Sequence, residues 1–206
     1  MKIAVISEVS ARQRNGDILD ALKQRGMDAQ NVGMTADGDD VELTYIHTGF
    51  MAGALLNMGI VDFVIGGCGT GQGFLNSAMQ YPGIICGLIQ EPLDAFLFSQ
   101  INAGNCVSLA LNKGYGWAGE LNLAYIFEKL FTGAPGAGFP PHRSMSQAES
   151  RKVLSGVSQA AHKPFSDIVK ALDPMIVKTA LSHKPFYDLM AQRRFKYFET
   201  FMEEIQ

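Results

Sequence analysis

The chain has 206 residues, enough for one domain plus an extension, and 47% are hydrophobic against 18% charged, which supports a sizeable core and excludes a disordered chain. The net charge is −3 with a pI near 5.8, and no Lys/Arg stripe appears, so a nucleic-acid footprint is not expected. No apolar run reaches the roughly 18 residues that span a membrane, and the start Met1-Lys2-Ile3-Ala4-Val5-Ile6 lacks the pattern of a signal peptide.

The first two thirds alternate strand and helix. Lys2 to Ile6 reads as a strand, and Arg12 to Arg25 as a helix with Ile18, Leu19 and Leu22 on one face, stopped by Gly26. Asp28 to Gly33 is a weaker strand. Val41 to Met58 reads as a long helix ending at Gly59. Val61 to Ile65 is a buried strand closed by Gly66 and Gly67, and a helix follows over Phe74 to Gln80. Gly83 to Ile89 and Cys106 to Leu111 read as strands, Asp94 to Ala103 and Trp117 to Phe131 as helices.

This alternation predicts parallel βαβ units, hence an α/β, Rossmann-like open sheet of five parallel strands with helices on both faces. Ligands of such sheets bind beyond the carboxyl ends of the strands. That rim gathers Ser7 to Ser10, Gly66 to Gly73, Gln90 to Pro92 and Leu111 to Tyr115. Residues 1–131 form the expected domain. Residues 132–150 form an arm, rich in Gly and Pro up to Pro141. Residues 151–206 read as a helical extension that packs on the core or on a partner subunit. Within it Asp173-Pro174 is a helix start, and the echo of His162-Lys163-Pro164-Phe165 in His183-Lys184-Pro185-Phe186 marks two similar helix starts.

The stretch Gly66-Gly67-Cys68-Gly69-Thr70-Gly71-Gln72-Gly73 carries the chemistry. Glycines let successive N–H groups converge, and a following helix adds positive potential at its start. A nucleotide loop is one reading, but the run lacks the Walker Lys and matches GxGxxG only in part. A second reading is catalytic. A thiol at a helix start among N–H donors favours its thiolate, and such a Cys can act as nucleophile or as base. The loop donors then stabilise an enediolate, with the Thr70 hydroxyl adding to them. A third reading makes Cys68 a small buried hydrophobe, which suits Cys86 and Cys106 in their strands. Three cysteines without a CxxC favour neither a disulfide framework nor a zinc site, and point to a reducing cytoplasm.

The segment Gly67 to Gly73, followed by Asn76, Pro82-Gly83, Glu91-Pro92 and Asn102, resembles the type B ribose-5-phosphate isomerase and galactose-6-phosphate isomerase family over roughly Met1 to Phe131. The resemblance implies a homodimer or dimer of dimers acting on a small anionic sugar, with no metal and no cofactor. It implies that Cys68 is the base that moves a proton between adjacent carbons, while Thr70 and the amides of Gly67, Gly69, Gly71 and Gly73 hold the enediolate. Tyr45 and His47 match a Tyr-x-His segment of the family, and His142-Arg143 resembles a basic motif that crosses to the neighbouring subunit.

The chain departs from the family at three places. Glu8-Val9 stands for Asp-His, Ile101 for the ring-opening His before Asn102, and Asn112-Lys113 for a phosphate-binding Arg. Proton transfer is kept, while ring opening and phosphate binding change. The resemblance, with the rim positions of Glu8 and Lys113, therefore implies Glu8, Tyr45, His47, Asn102 and Lys113 as substrate-binding residues, with Lys113 as a carboxylate partner. They fit a sugar isomerase; the stretches Leu97 to Asn105, Lys113 to Trp117 and Glu120 to Leu123 resemble a divergent branch of the family, which implies a ketol-isomerase of unphosphorylated 4-deoxy-5-hexosulose-uronate as one alternative. A non-catalytic nucleotide or small-ligand binding module, or a member kept for assembly alone, are the others.

Overall fold

A computed structural model describes residues 1–38 and 41–192. The last part of the expected helical extension, from 193 on, lies outside the described residues. Five parallel strands form one sheet: β1 (Ile3–Ser7), β2 (Ala29–Asn31), β3 (Phe63–Cys68), β4 (Cys86–Ile89) and β5 (Cys106–Ala110), in the order β2-β1-β3-β5-β4. The Rossmann-like sheet expected from the alternation is therefore present.

Strand side chains alternate between the two faces, and this splits the core in two. Ile3, Val5, Phe63, Ile65, Val107 and Leu109 meet Ile18 and Leu22 of α1 (Asn15–Lys23), Ala95 of α4 (Pro92–Leu97) and Leu123, Ile126 and Phe127 of α5 (Gly119–Leu130). Ala4, Ile6, Val64, Cys68, Cys86 and Cys106 face α2 (Tyr45–Asn57) and α3 (Gln72–Ala78). The helices α2 and α3 lie very close. A Cβ on Gly49 would fall 2.0 Å from Ser77 Oγ, and one on Gly53 would fall 2.6 Å from the Tyr81 ring.

Four helices follow, and the first begins inside the stretch read as arm, taking in residues 144–150: α6 (Ser144–Ala161), α7 (Phe165–Ala171), α8 (Pro174–Ser182) and α9 (Lys184–Ala191). Phe165, Val177, Leu181, Phe186 and Leu189 extend the core on the α2 side, so α7 to α9 form an outer layer over α2. Both copies of the echoed segment start helices and bury their Phe. Asp173 Oδ1 caps α8 by accepting the Met175 N–H at 2.9 Å. In contrast, α6 buries none of its side chains.

Several boundaries differ from the sequence reading. The helix read from Val41 starts at Tyr45, because Thr44 is its N-cap and His47 Nδ1 accepts the Thr44 N–H at 3.0 Å. The strand read as ending at Ile65 runs on to Cys68, and the next helix starts at Gln72 rather than Phe74. The helix read over Asp94 to Ala103 changes after Leu97 into a π-helical turn, Phe98–Asn102, which ends at Ala103 with φ +47°. The arm binds this turn: Gly136 N–H donates to Ser99 O at 2.9 Å and Gly138 N–H to Gln100 O at 3.0 Å.

Candidate active site

The chain runs outward from β1 to β2, then returns to β3 on the other side of β1. The crevice at such a reversal, beyond the carboxyl ends of the strands, is where open α/β sheets bind ligands. Here it is flanked by Ser7 to Ser10 after β1 and by Cys68 to Gln72 after β3.

Cys68 is the last residue of β3, 6% exposed, and its Sγ lies 3.9 Å from Thr70 Oγ1. Thr70 Oγ1 also accepts the Gln72 N–H at 3.3 Å, so one hydroxyl touches both the thiol and the start of α3. The Cys68 carbonyl accepts N–H groups from Leu111 at 3.0 Å and Gly71 at 3.3 Å. Gly71 has φ +76° and leaves no room for a side chain, since a Cβ would sit 2.5 Å from Leu88 Cδ1. The turn from strand to helix is thus only three residues long, Gly69 to Gly71.

This corrects the reading of residues 66–73 as one cradling loop. Gly66 and Gly67 are ladder residues, paired with Ile6 and Ser7 on one side and Ser108 and Leu109 on the other. Their backbones belong to the sheet. A Cβ on Gly66 would fall 2.1 Å from Phe74 Cζ, and one on Gly67 2.6 Å from the Leu109 carbonyl oxygen. Packing accounts for these two glycines. Gly73 lies inside the first turn of α3, beneath the Tyr45 ring, whose Cγ a Cβ would approach to 2.8 Å.

The other expected site residues fall into three groups. Glu8 and Lys113 lie on the same rim. Glu8 is buried, its Oε1 accepting from both the N–H and the hydroxyl of Ser10. Lys113 is exposed, its N–H donating to Gly69 O at 2.8 Å, and it edges a small cavity of about 60 Å³ with Gln90 and Asn122. Tyr45 reaches the rim through Gly73, while His47 is half-buried and engaged in the α2 cap; burial lowers its pKa. Asn102 stands apart. It precedes β5 at the amino end of the sheet, whereas Cys68 is level with Ala110 at the carboxyl end.

Two residues that the sequence reading placed on the rim without a site role of their own are central to it. Ser10 Oγ accepts the Gly69 N–H at 2.9 Å, and Asn112 Nδ2 donates to Ser10 O at 2.7 Å. A larger cavity, about 610 Å³ between Arg25, Asp62, Phe98 and Phe131, opens at the amino end of the sheet and does not include Cys68. Among the described residues no His/Cys/Asp/Glu cluster suited to a metal occurs, and no helix is long and apolar enough to cross a membrane.

Residues 3–133 match the family model described as Ribose/Galactose Isomerase. The chain belongs to the ribose/galactose isomerase family. Two solved structures match it along its whole length. A 4-deoxy-L-threo-5-hexosulose-uronate ketol-isomerase, crystallised with a tartrate, is 35% identical with a TM-score of 0.92, covering 100% of this chain and 99% of its own. A ribose-5-phosphate isomerase from Vibrio parahaemolyticus is 44% identical with a TM-score of 0.91, with the same coverage. The type B ribose 5-phosphate isomerase of Leishmania infantum is 18% identical with a TM-score of 0.66, covering 78% of this chain and 98% of its own, and shares the fold. No curated relative matches the chain. As a member of this family the protein is a sugar isomerase, with a small sugar as substrate.

Proposed function

We propose that this isomerase interconverts an aldose and a ketose by proton transfer through an enediolate, with Cys68 as base. The Cys68 thiolate takes the proton from the carbon next to the carbonyl. The electron pair moves onto the carbonyl oxygen, the neighbouring hydroxyl passes its proton to that oxygen, and the thiol returns the carbon-bound proton to the former carbonyl carbon, leaving the new carbonyl where the hydroxyl stood. The observation that carries this reading is the contact of Cys68 Sγ with Thr70 Oγ1 at the turn into α3. A hydroxyl and the first-turn amides of a helix are donors suited to developing oxyanion charge. Lys113 and Tyr45 supply a cation and an aromatic face for the anionic end and body of the sugar.

The second reading, an unphosphorylated 4-deoxy-5-hexosulose-uronate as substrate, is favoured by Ile101 beside Asn102. An apolar side chain offers no acid or base for ring opening, which an open-chain keto acid does not require. The ketol-isomerase that matches over 99% of its own chain is named for that substrate. Lys113 then pairs with a carboxylate.

We also infer that two copies associate. Asn102 lies at the wrong end of the sheet to meet Cys68 of its own chain, so any part it plays in the reaction is played at a neighbour's rim. The unburied α6, with Val153 59% and Val157 55% exposed, offers an apolar surface for such pairing.

The test is proton NMR in D₂O on ribose 5-phosphate, galactose 6-phosphate and the deoxy-hexosulose-uronate. Isomerisation or C–H exchange of one of these, reduced roughly 10²- to 10⁴-fold in Cys68→Ala, is expected. Turnover untouched in Cys68→Ala would remove the thiol from the mechanism. Absence of exchange on every sugar would favour a binding protein.

A further inference from the structure

Gly69 directly follows Cys68, and both polar groups of its backbone are held. Its N–H donates to Ser10 Oγ at 2.9 Å. Its carbonyl accepts the N–H groups of Asn112 at 3.0 Å and Lys113 at 2.8 Å. Ser10 is fixed in turn. Its N–H donates to Glu8 Oε1 at 3.1 Å, its hydroxyl donates to the same oxygen, and its carbonyl accepts Asn112 Nδ2 at 2.7 Å. With the two donors on the Cys68 carbonyl, the peptide carrying the thiol is bracketed from β1 on one side and from the β5 loop on the other.

A carboxylate 4% exposed requires donors, and Glu8 takes two of them from Ser10. A hydroxyl whose proton is given to a carboxylate is a stronger acceptor, because hydrogen bonds in a chain polarise one another. Ser10 Oγ therefore binds the Gly69 N–H more firmly than an isolated serine does. That N–H is the first amide after the thiol, and its engagement withholds it from both thiolate and substrate. Charge stabilisation is left to Thr70 Oγ1 and the start of α3.

We propose that Glu8, acting through Ser10, is a positioning residue for Cys68 and not a ligand of the substrate. The assignment rests on Cys68 being the base, yet the first arm of its test needs no turnover. The measurement is the pH profile of Cys68 alkylation by iodoacetamide, followed by intact mass and peptide mapping. Cys86 and Cys106 are buried within core strands and serve as internal controls. Ser10→Ala frees the Gly69 N–H to meet the thiolate, so the profile midpoint falls by about half a pH unit or more. Ser10→Thr keeps the hydroxyl at this exposed position and restores the original midpoint. A Ser10→Ala profile that overlays the parent's overturns the proposal.

Glu8→Gln and Glu8→Ala make the second arm. An amide oxygen still accepts from Ser10, so Glu8→Gln keeps kcat within about threefold, while Glu8→Ala and Ser10→Ala lose tenfold or more in kcat with KM held. If Glu8→Gln raises KM as far as Glu8→Ala does, Glu8 binds the substrate and the proposal fails. Should the parent protein turn over no sugar, the proposed isomerisation fails alone, and the alkylation profiles still decide the positioning role.

Discussion

Arg151 of α6 donates through Nη1 to the Ile101 carbonyl at 2.8 Å and through Nη2 to the Gly136 carbonyl at 3.1 Å. One guanidinium thus ties three segments: the extension, the arm and the π-helical turn that ends at Asn102. The planar fork of Arg suits two acceptors at once, which a Lys ammonium does not reproduce. No side chain of α6 is buried, so the helix is held by polar anchors: this contact, the two bonds between Gln147 and the Phe139 backbone, and the Gly83 N–H donated to Ser158 Oγ. Arg151→Ala is expected to lower stability by about 1.5–3 kcal/mol, or roughly 3–10 °C in Tm. Hydrogen exchange should speed up along Ser144 to Ala161 and at the π turn while the amides of β3 keep their protection. Unchanged exchange in α6 would show that the helix is held by something else.

Pairing of two copies through α6 makes a separate prediction. Val153, Leu154 and Val157 are 59%, 48% and 55% exposed and edge one shallow groove with Ser146, Glu149 and Ser150. An exposed apolar strip of this kind favours contact with another apolar surface. Leu154→Glu with Val157→Glu places two charges in that strip without touching the core. Light scattering should then read a single chain of 22.4 kDa where the parent reads a multiple of it. Loss of kcat on dissociation, with the fold intact by circular dichroism, is expected if Asn102 serves a neighbour's site. A parent protein that scatters as a monomer would rule out pairing altogether.

The contact of Gly66 with the Phe74 ring predicts a large effect from one methyl group. A Cβ at Gly66 would lie 2.1 Å from Phe74 Cζ, and both residues are fully enclosed. Overpacking of this kind costs typically about 1–3 kcal/mol. Gly66→Ala should lose that much in urea unfolding, and Phe74→Leu in the same chain should return part of it by vacating the ring volume. Additive losses in the double variant would mean that the two sites do not share the space.

Much of the sheet is legible in the sequence, because the unbroken apolar runs Ile3-Ala4-Val5-Ile6 and Phe63-Val64-Ile65 are what burial on both faces requires. Cys68 is legible too, as a thiol between an apolar strand and a glycine-rich turn. The glycines themselves mislead. A run from Gly66 to Gly73 reads as a single flexible loop, yet its first two members are ladder residues kept small by Phe74 and Leu109, and only Gly71 uses the left-handed conformation. Ser10 and Asn112 are placed on the rim by the sequence, but their contacts are hidden for a different reason. Serine and asparagine are ordinary loop residues, and their roles arise from contacts across 59 and 102 positions of chain. The π turn is equally hidden, since nothing local in Phe98-Ser99-Gln100-Ile101-Asn102 announces a change of helical pitch; its carbonyls are bound by the arm and Arg151, more than 30 residues later.

His47 gives the fold a predictable response to acid. Its Nδ1 accepts the Thr44 N–H at 3.0 Å, so the cap of α2 needs the neutral ring with Nδ1 unprotonated. Burial lowers the pKa below the usual histidine value of 6.5. The unfolded chain therefore binds the proton at higher pH than the folded one. Stability rises with pH wherever the unfolded state holds more protons. The contribution of the cap is complete above 6.5 and is lost as the pH falls through the unfolded and then the folded pKa. Gln is a natural partner at this position of a capping box and carries no titrating group. His47→Gln should match the parent in Tm at pH 7.5 and exceed it at pH 5. A parent whose excess loss between those two pH values survives in His47→Gln would place the acid sensitivity at another group.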